Sequence, residues 1–448
     1  MRLTCVTLYP TAMCNLACGY CTITKLKNLP YIDKQFEDSY KDEDYYINQL
    51  LAIGWDNIKN IHRIEFWGGE PTLALHRTYG TVRKMIELLP IDSMFFSTNL
   101  CYSKVEEEIK GLVDVCGEYP NRKFQIQIQL SIDGPEEITD AGRGNGVTKK
   151  FLDNYNLLME KEWFSNIYNN VEIRITFKPT LSTDNLNKFI DIDYMEYYYK
   201  WFEDNLYDVA KPHVSNNLKV FMGAIPNIAV PMAASKQDGI NFAKICKNAF
   251  WLSEHGNFKY YNNIVMFTRL TRHVDRNCIT YCGAGRSVVE LLPEGKYCAC
   301  HRGFLTYLED YRIATRRYSD FSPLEHRELE TSNDTVFVFD TAQQFIDFCD
   351  RVENPKTPSS SFFVQQGMIR YLAEIGQIEE KYKNPYEAKK GANLFTEYAS
   401  TCLYDNLTVC GTQMINLFSE YRMFLNGAID IIYLATERLN VINEESRL

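Results

Sequence analysis

Short β-rich runs alternate with helical stretches through the first half of the chain, and this alternation limits the fold more than any other feature of the 448 residues. Candidate strands lie at 3–9, 62–66, 93–97, 124–132, 171–178 and 218–222. Amphipathic or polar stretches at 42–55, 73–89, 104–116, 149–162 and 185–205 separate them. A parallel neighbour must be reached by a crossover, usually a helix, so the pattern predicts parallel βαβ units in an α/β fold. Six strands suit a partial (β/α)6 barrel better than a closed eightfold one, with the chemistry at the C-terminal ends of the strands.

After about Pro231 the pattern changes. A helix is expected near 233–255, followed by a cysteine-rich segment at 277–303 that contains the hairpin-like run Leu-Leu-Pro-Glu-Gly-Lys-Tyr. Residues 354–361 read as a loop or linker, and helical apolar spacing returns at 363–377 and 414–439. Three parts are therefore expected: a barrel over 1–230, a bridging helix and cysteine segment over 231–353, and a helical C-terminal region over 354–448.

Composition narrows the class. Lys and Arg number 48 against 58 Asp and Glu, a net charge of −10, which argues against a nucleic-acid or anionic-membrane binder. No run approaches a membrane span, and no secretory signal pattern opens the chain, so a cytoplasmic location is expected. Fourteen cysteines are then more than packing needs, and in a reducing compartment clustered ones read as metal ligands before disulfides.

The sharpest cluster is Cys14-Asn-Leu-Ala-Cys18-Gly-Tyr-Cys21, directly after the first candidate strand. Three thiols at spacings of four and three converge if the loop wraps around something, and Gly19 gives it freedom to close. An iron–sulfur cubane fits cysteine thiolates, whereas a structural zinc would want a fourth local Cys or His. Phe-Trp-Gly68-Gly69-Glu70-Pro71 follows the second strand, where paired glycines admit a ligand to bare backbone and Glu70 can accept from an ammonium. Ser97-Thr98-Asn99 ends the third strand. Ser131-Ile-Asp133-Gly-Pro135 ends the fourth, with Asp140 and Arg143 beyond it, and Arg174 interrupts the apolar fifth.

Together these motifs resemble the radical S-adenosylmethionine (SAM) superfamily, with its C-x3-C-x2-C signature and an aromatic residue, here Tyr20, before the last cysteine. The resemblance implies a radical SAM partial barrel in which Cys14, Cys18 and Cys21 hold a [4Fe–4S] cluster whose open iron chelates S-adenosylmethionine. It further implies that Tyr20, Gly68, Gly69, Glu70, Asn99, Ser131, Arg143 and Arg174 form the SAM pocket, with Glu70 on the amino group. Arg143 reads equally as an ion-pair residue on the surface, and Arg174 is a candidate because an arginine in an apolar run needs a partner.

Downstream, Cys282-x12-Gly295-x4-Cys300 resembles the opening of the SPASM/Twitch domains that follow many radical SAM cores. That likeness implies at least one auxiliary [4Fe–4S] cluster drawn from Cys278, Cys282, Cys300, Cys402 and Cys410. The usual second half of that motif is absent, so one cluster is expected. Cys298 competes with Cys300, and the spacing from Gly295 selects Cys300; a structural zinc site is the alternative. Cys5, Cys101, Cys116, Cys246 and Cys349 read as packing residues, and the Gly142–Gly146 run as a flexible connection.

The expected function is that of a peptide-modifying maturase: cleavage of SAM to a 5′-deoxyadenosyl radical and hydrogen abstraction from a peptide or protein. The product would be a crosslink, thioether, epimer or oxidised residue. The alternatives are a small-molecule radical SAM dehydrogenase and a non-catalytic zinc or iron–sulfur binding protein. Expected partners are a precursor peptide, a flavodoxin or ferredoxin reductant and, because Cys14 lies so near the first residue, a separate peptide-recognition protein.

Overall fold

A computed structural model describes residues 2–19, 21, 29–222, 227–229, 252, 287–299 and 338–353. Its strands are β1 Cys5–Thr11, β2 Arg63–Gly68, β3 Ser93–Thr98, β4 Phe124–Leu130, β5 Val171–Phe177, β6 Thr180–Ser182, β7 Leu218–Met222, β8 Asn227–Ala229, β9 Val288–Leu291, β10 Tyr297–Cys298 and β11 Val338–Phe339. Nine of them form one sheet in the order β11-β10-β9-β1-β2-β3-β4-β5-β7, while β6 and β8 pair separately. All pairings from β9 through β1 to β7 are parallel, so this is an α/β chain with a mostly parallel sheet. Helices Tyr45–Ala52, Tyr79–Leu88, Val105–Gly117, Val147–Met159 and Ile192–Phe202 supply the crossovers. Among the described residues no helix is long and apolar enough to cross a membrane.

The two faces of the sheet differ. Phe124, Ile126, Ile128 and Leu130 of β4 alternate with half-buried Gln125, Gln127 and Gln129, and β5 repeats the pattern with Glu172, Arg174 and Thr176. The apolar set joins Ile64, Phe66, Met94 and Phe96 and the inward faces of the crossover helices, including Leu50, Val82, Ile109 and Phe151, in one core. Each such side chain contributes roughly 1.5–3 kcal/mol on burial. A parallel sheet covered on both faces would read as near-continuous apolar runs. Here helices cover one face, and the other, called the inner face below, carries polar side chains on β4 and β5, while around β1 and β9 Tyr9 and Leu292 pack against Ile32 and Phe36 of the helix Leu29–Ser39.

The six expected strands are all present. Pro71 starts a 3₁₀ turn, Pro71–Leu73, and a second, Leu75–Thr78, follows, so the stretch expected as helix from 73 becomes α-helical only at Tyr79. The Gly142–Gly146 run is half helix: Gly142 and Arg143 close the helix Glu136–Arg143, and Gly144 and Gly146, with φ of +119° and +77°, turn the chain into the next. The hairpin expected in the cysteine-rich segment forms as β9 and β10, with Glu294 and Gly295 at positive φ in its turn. It is not set apart from the sheet, because β9 runs parallel to β1 and extends the sheet beyond it. The helix expected near 233–255, apart from Leu252, and the whole of 354–448 lie outside the described residues.

Candidate functional site

The motif residues gather where β1 to β4 end. Thr11, the last residue of β1, donates through Oγ1 to Asp33 Oδ1, which also accepts from the Ala12 amide at 3.0 Å. Arg77 Nη1 lies 3.2 Å from Asp33 Oδ2 and 3.3 Å from the Pro10 carbonyl. A carboxylate and a guanidinium from two different elements therefore fix the point at which the cysteine loop leaves the sheet.

On that loop Cys14 and Cys21 are half-buried, Cys18 is buried, and all three are free thiols. Cys14 Sγ accepts from the Leu16 amide at 3.5 Å and faces Asn99 Nδ2 at 3.8 Å. The Cys21 amide donates to the Cys18 carbonyl at 3.0 Å, and the Gly19 amide to the Gly142 carbonyl at 2.9 Å, which anchors the loop to the end of helix Glu136–Arg143. Burial, then Glu70 and the other two cysteines, pushes the Cys14 thiol up to about 12. Burial also raises Cys18, against the Arg143 guanidinium. Cys14 and Cys18 are thus held protonated until a cation stabilises their thiolates. As a donor set they suit a thiophilic iron or zinc group. Among the described residues no three Cys, His, Asp or Glu side chains stand together as a metal site. Tyr20, Cys278, Cys282, Cys300, Cys402 and Cys410 lie outside the described residues.

Gly68 and Gly69 are required by contact. A Cβ on Gly68, whose φ is +132°, would stand 2.1 Å from the Thr11 carbonyl oxygen, and one on Gly69 would stand 2.1 Å from that of Met13. The Gly69 and Glu70 amides donate to those same carbonyls at 3.2 and 2.8 Å, so this turn is strapped to the root of the cysteine loop. Glu70 is buried, and its Oε1 accepts from the Thr72 amide and hydroxyl at 3.2 and 2.6 Å. Its Oε2 accepts from the Asn99 amide at 2.7 Å. The Thr98 side chain adds a further hydrogen bond, so donors from Thr72, Thr98 and Asn99 surround the carboxylate. Burial raises the Glu70 carboxyl despite these bonds. Asn99 completes the link, with Nδ2 donating to Asn15 Oδ1 at 2.8 Å.

Beyond β4 the Ser131 amide donates to the Thr98 carbonyl at 2.8 Å, and the residue is half-buried at the strand end. Arg143 is neither exposed nor on the surface. Its Nε and Nη2 grip Asp133 Oδ2 and Oδ1 at 2.8 and 2.7 Å in a buried bidentate pair, and Asp133 Oδ1 also takes the Thr180 amide at 2.8 Å. Asp140, noted with Arg143 in the sequence, is structurally separate. It accepts from the Thr148 amide and hydroxyl at 2.8 and 2.7 Å, at the start of helix Val147–Met159. Burial opposes its ionisation, but these donors and the Gly146 amide outweigh it and lower its pKa. Arg174 is not brought to the strand ends: it lies three residues before Phe177, about 10 Å along the strand, and its Nε binds Glu172 Oε1. Lys219 shares that carboxylate.

Asp33, Arg77 and Asp133 are positioning groups that the motif spacing does not announce, since their partners are distant in sequence. The polar inner face was legible in the alternation Phe-Gln-Ile-Gln-Ile-Gln-Leu of β4. No protein-family model matches the chain, and no curated protein matches it either.

Proposed function

We propose that this chain is a radical SAM enzyme that modifies a peptide or protein. The observation that carries the reading is that Cys14, Gly69, Glu70 and Asn99, which lie on three separate strand-end loops, are joined by hydrogen bonds at the C-terminal end of a parallel sheet, with Cys18 on the first of those loops. Cys14, Cys18 and Cys21 would hold the [4Fe–4S] cluster. When bound and reduced, that group supplies the electron that cleaves S-adenosylmethionine and yields the 5′-deoxyadenosyl radical.

The chain's own residues bind and orient. Glu70 takes the SAM ammonium, and its protein donors from Thr72, Thr98 and Asn99 keep the carboxylate from turning away. The Asp133–Arg143 pair braces the strand end on the far side of the loop, where Cys18 senses the guanidinium. Ser131 stands at the rim for a substrate or SAM hydroxyl. The polar inner face below the loop receives the substrate, and its remaining apolar walls exclude water from the reacting carbon.

Anaerobic reconstitution with iron and sulfide tests the reading. The protein should turn brown and release 5′-deoxyadenosine from SAM under dithionite, and a variant lacking Cys14, Cys18 and Cys21 should release none. Colourless, zinc-loaded protein with no cleavage would overturn it.

A further inference from the structure

The inner face holds one row of side chains that the cluster site does not use. Strand register places Glu290 of β9 beside Thr7 of β1, and Thr7 beside Glu65 of β2. Registered neighbours project from the same face about 5 Å apart, so the Thr7 hydroxyl lies between two carboxylates. Its Oγ1 is fully buried and makes no hydrogen bond. Glu290 is 2 % exposed, and its Oε2 accepts from Tyr9. No cation among the described residues offsets it; its neighbouring charge is Glu65. Glu65 accepts from Arg63 Nε at 2.7 Å and Trp67 Nε1 at 3.0 Å, and stays partly open on the inner face.

A buried carboxylate with no counter-charge among the described residues and a hydroxyl beside it with no hydrogen bond form an acceptor pair short of donors, while Glu65, next in the row, is held by Arg63 and Trp67. A buried acid in such a place is costly unless it stays protonated or meets a cation. A satisfied structural network would pair the hydroxyl. The missing complement is a group with several N–H donors and a positive charge.

We propose that Glu290, Thr7 and Glu65 form a subsite for a cationic side chain of the substrate, an ammonium or guanidinium. This rests on the reading of the inner face as the substrate's surface, and it narrows the substrate to one with a basic residue near the modified position. Glu290 supplies the charge, Thr7 accepts a hydrogen bond through its hydroxyl, Glu65, already held by Arg63, borders the row, and the Tyr9 hydroxyl orients Glu290.

The test uses the full-length protein, with and without reconstituted cluster, in chelated buffer above pH 8, where Glu290 with its pKa of about 8 is ionised. N-acetyl-lysine methylamide and N-acetyl-arginine methylamide are titrated by calorimetry against the neutral norleucine and citrulline analogues. The cationic compounds should bind and the neutral ones should not. Glu290→Gln should weaken the cationic binding roughly tenfold or more, as loss of a charge-assisted bond does. Thr7→Val, of the same shape, should weaken it severalfold and serves where Glu290→Gln does not fold. Equal binding of the neutral analogues, no binding of either cation, or occupancy by Mg²⁺ or Zn²⁺ in place of the organic cations would overturn the proposal. Cation binding without SAM cleavage would keep the subsite and remove the radical SAM reading, whereas cleavage without cation binding would do the reverse.

Discussion

Glu70 Oε2 accepts a 2.7 Å hydrogen bond from the backbone amide of Asn99, and this single bond ties the Gly-Gly-Glu turn after β2 to the end of β3. Asn99 in turn holds Asn15 on the cysteine loop. The three loops therefore move together.

Glu70→Gln should loosen that unit. Gln keeps one acceptor oxygen and places an NH₂ against a donor, leaving at least one buried N–H without an acceptor, which costs about 1–3 kcal/mol. Urea unfolding should show this loss, and equilibrium dialysis of the reconstituted protein should show weaker SAM retention than in wild type.

Gly69→Ala should cost more than a glycine-to-alanine change at an open turn such as Gly146. The added methyl would meet the Met13 carbonyl oxygen at 2.1 Å, and backbone must shift to admit it. A loss of about 2 kcal/mol or more is expected, as for overpacked buried sites. Hydrogen exchange should locate the added opening at 11–14 as well as at 68–70.

Arg143→Lys tests the buried pair. Lysine keeps the charge but loses the fork that grips both Asp133 oxygens. Removing one partner of a buried pair costs about 3–5 kcal/mol, and Lys should recover part of what Arg143→Ala loses. A double-mutant cycle with Asp133→Asn, read by urea midpoints, measures the coupling.

Glu290 sets a pH dependence. Burial raises its carboxyl from 4.5 to about 8 in the fold, against the Tyr9 hydrogen bond and with the Glu65 charge adding to the rise. The folded state thus holds this proton more tightly than the unfolded chain. That contribution is fully present below about pH 4.5 and is lost as the pH rises through 8. Glu290→Gln carries no titrating proton, so its stability relative to wild type should rise between pH 5 and pH 9. A difference that stays flat across urea melts at these values would contradict the assignment.

Asp33→Ala should free the root of the cysteine loop. It removes the acceptor for Thr11 Oγ1 and the Ala12 amide and leaves Arg77 only the more distant Glu37 carboxylate, at 3.9 Å. A cost of about 1–3 kcal/mol is expected, with faster amide exchange at Ala12 and Met13 and lower iron retention after gel filtration.

Much of this architecture was readable in the residues. Period-2 apolar runs separated by amphipathic stretches are local, and burying one stripe or one face dictates them, so all six expected strands of the sheet stand within a few residues of their expected limits. Cys5, Cys101 and Cys116 are buried in the fold, as their apolar contexts indicate. Helix Glu136–Arg143 escaped notice because glycines at 142, 144 and 146 signal a turn, while only its packing against helix Val147–Met159 and β6 makes the short helix worthwhile.

The sequence by itself determined the α/β order and the motif residues at the strand ends, because periodicity and turn chemistry act between near neighbours. Tertiary structure alone decided that Arg143 is buried against Asp133, and that β9 comes beside β1. Partners for buried charges come from whichever chain folds nearest, and Thr7 and Glu290, 283 positions apart in the chain, became neighbours through strand register that no local pattern encodes.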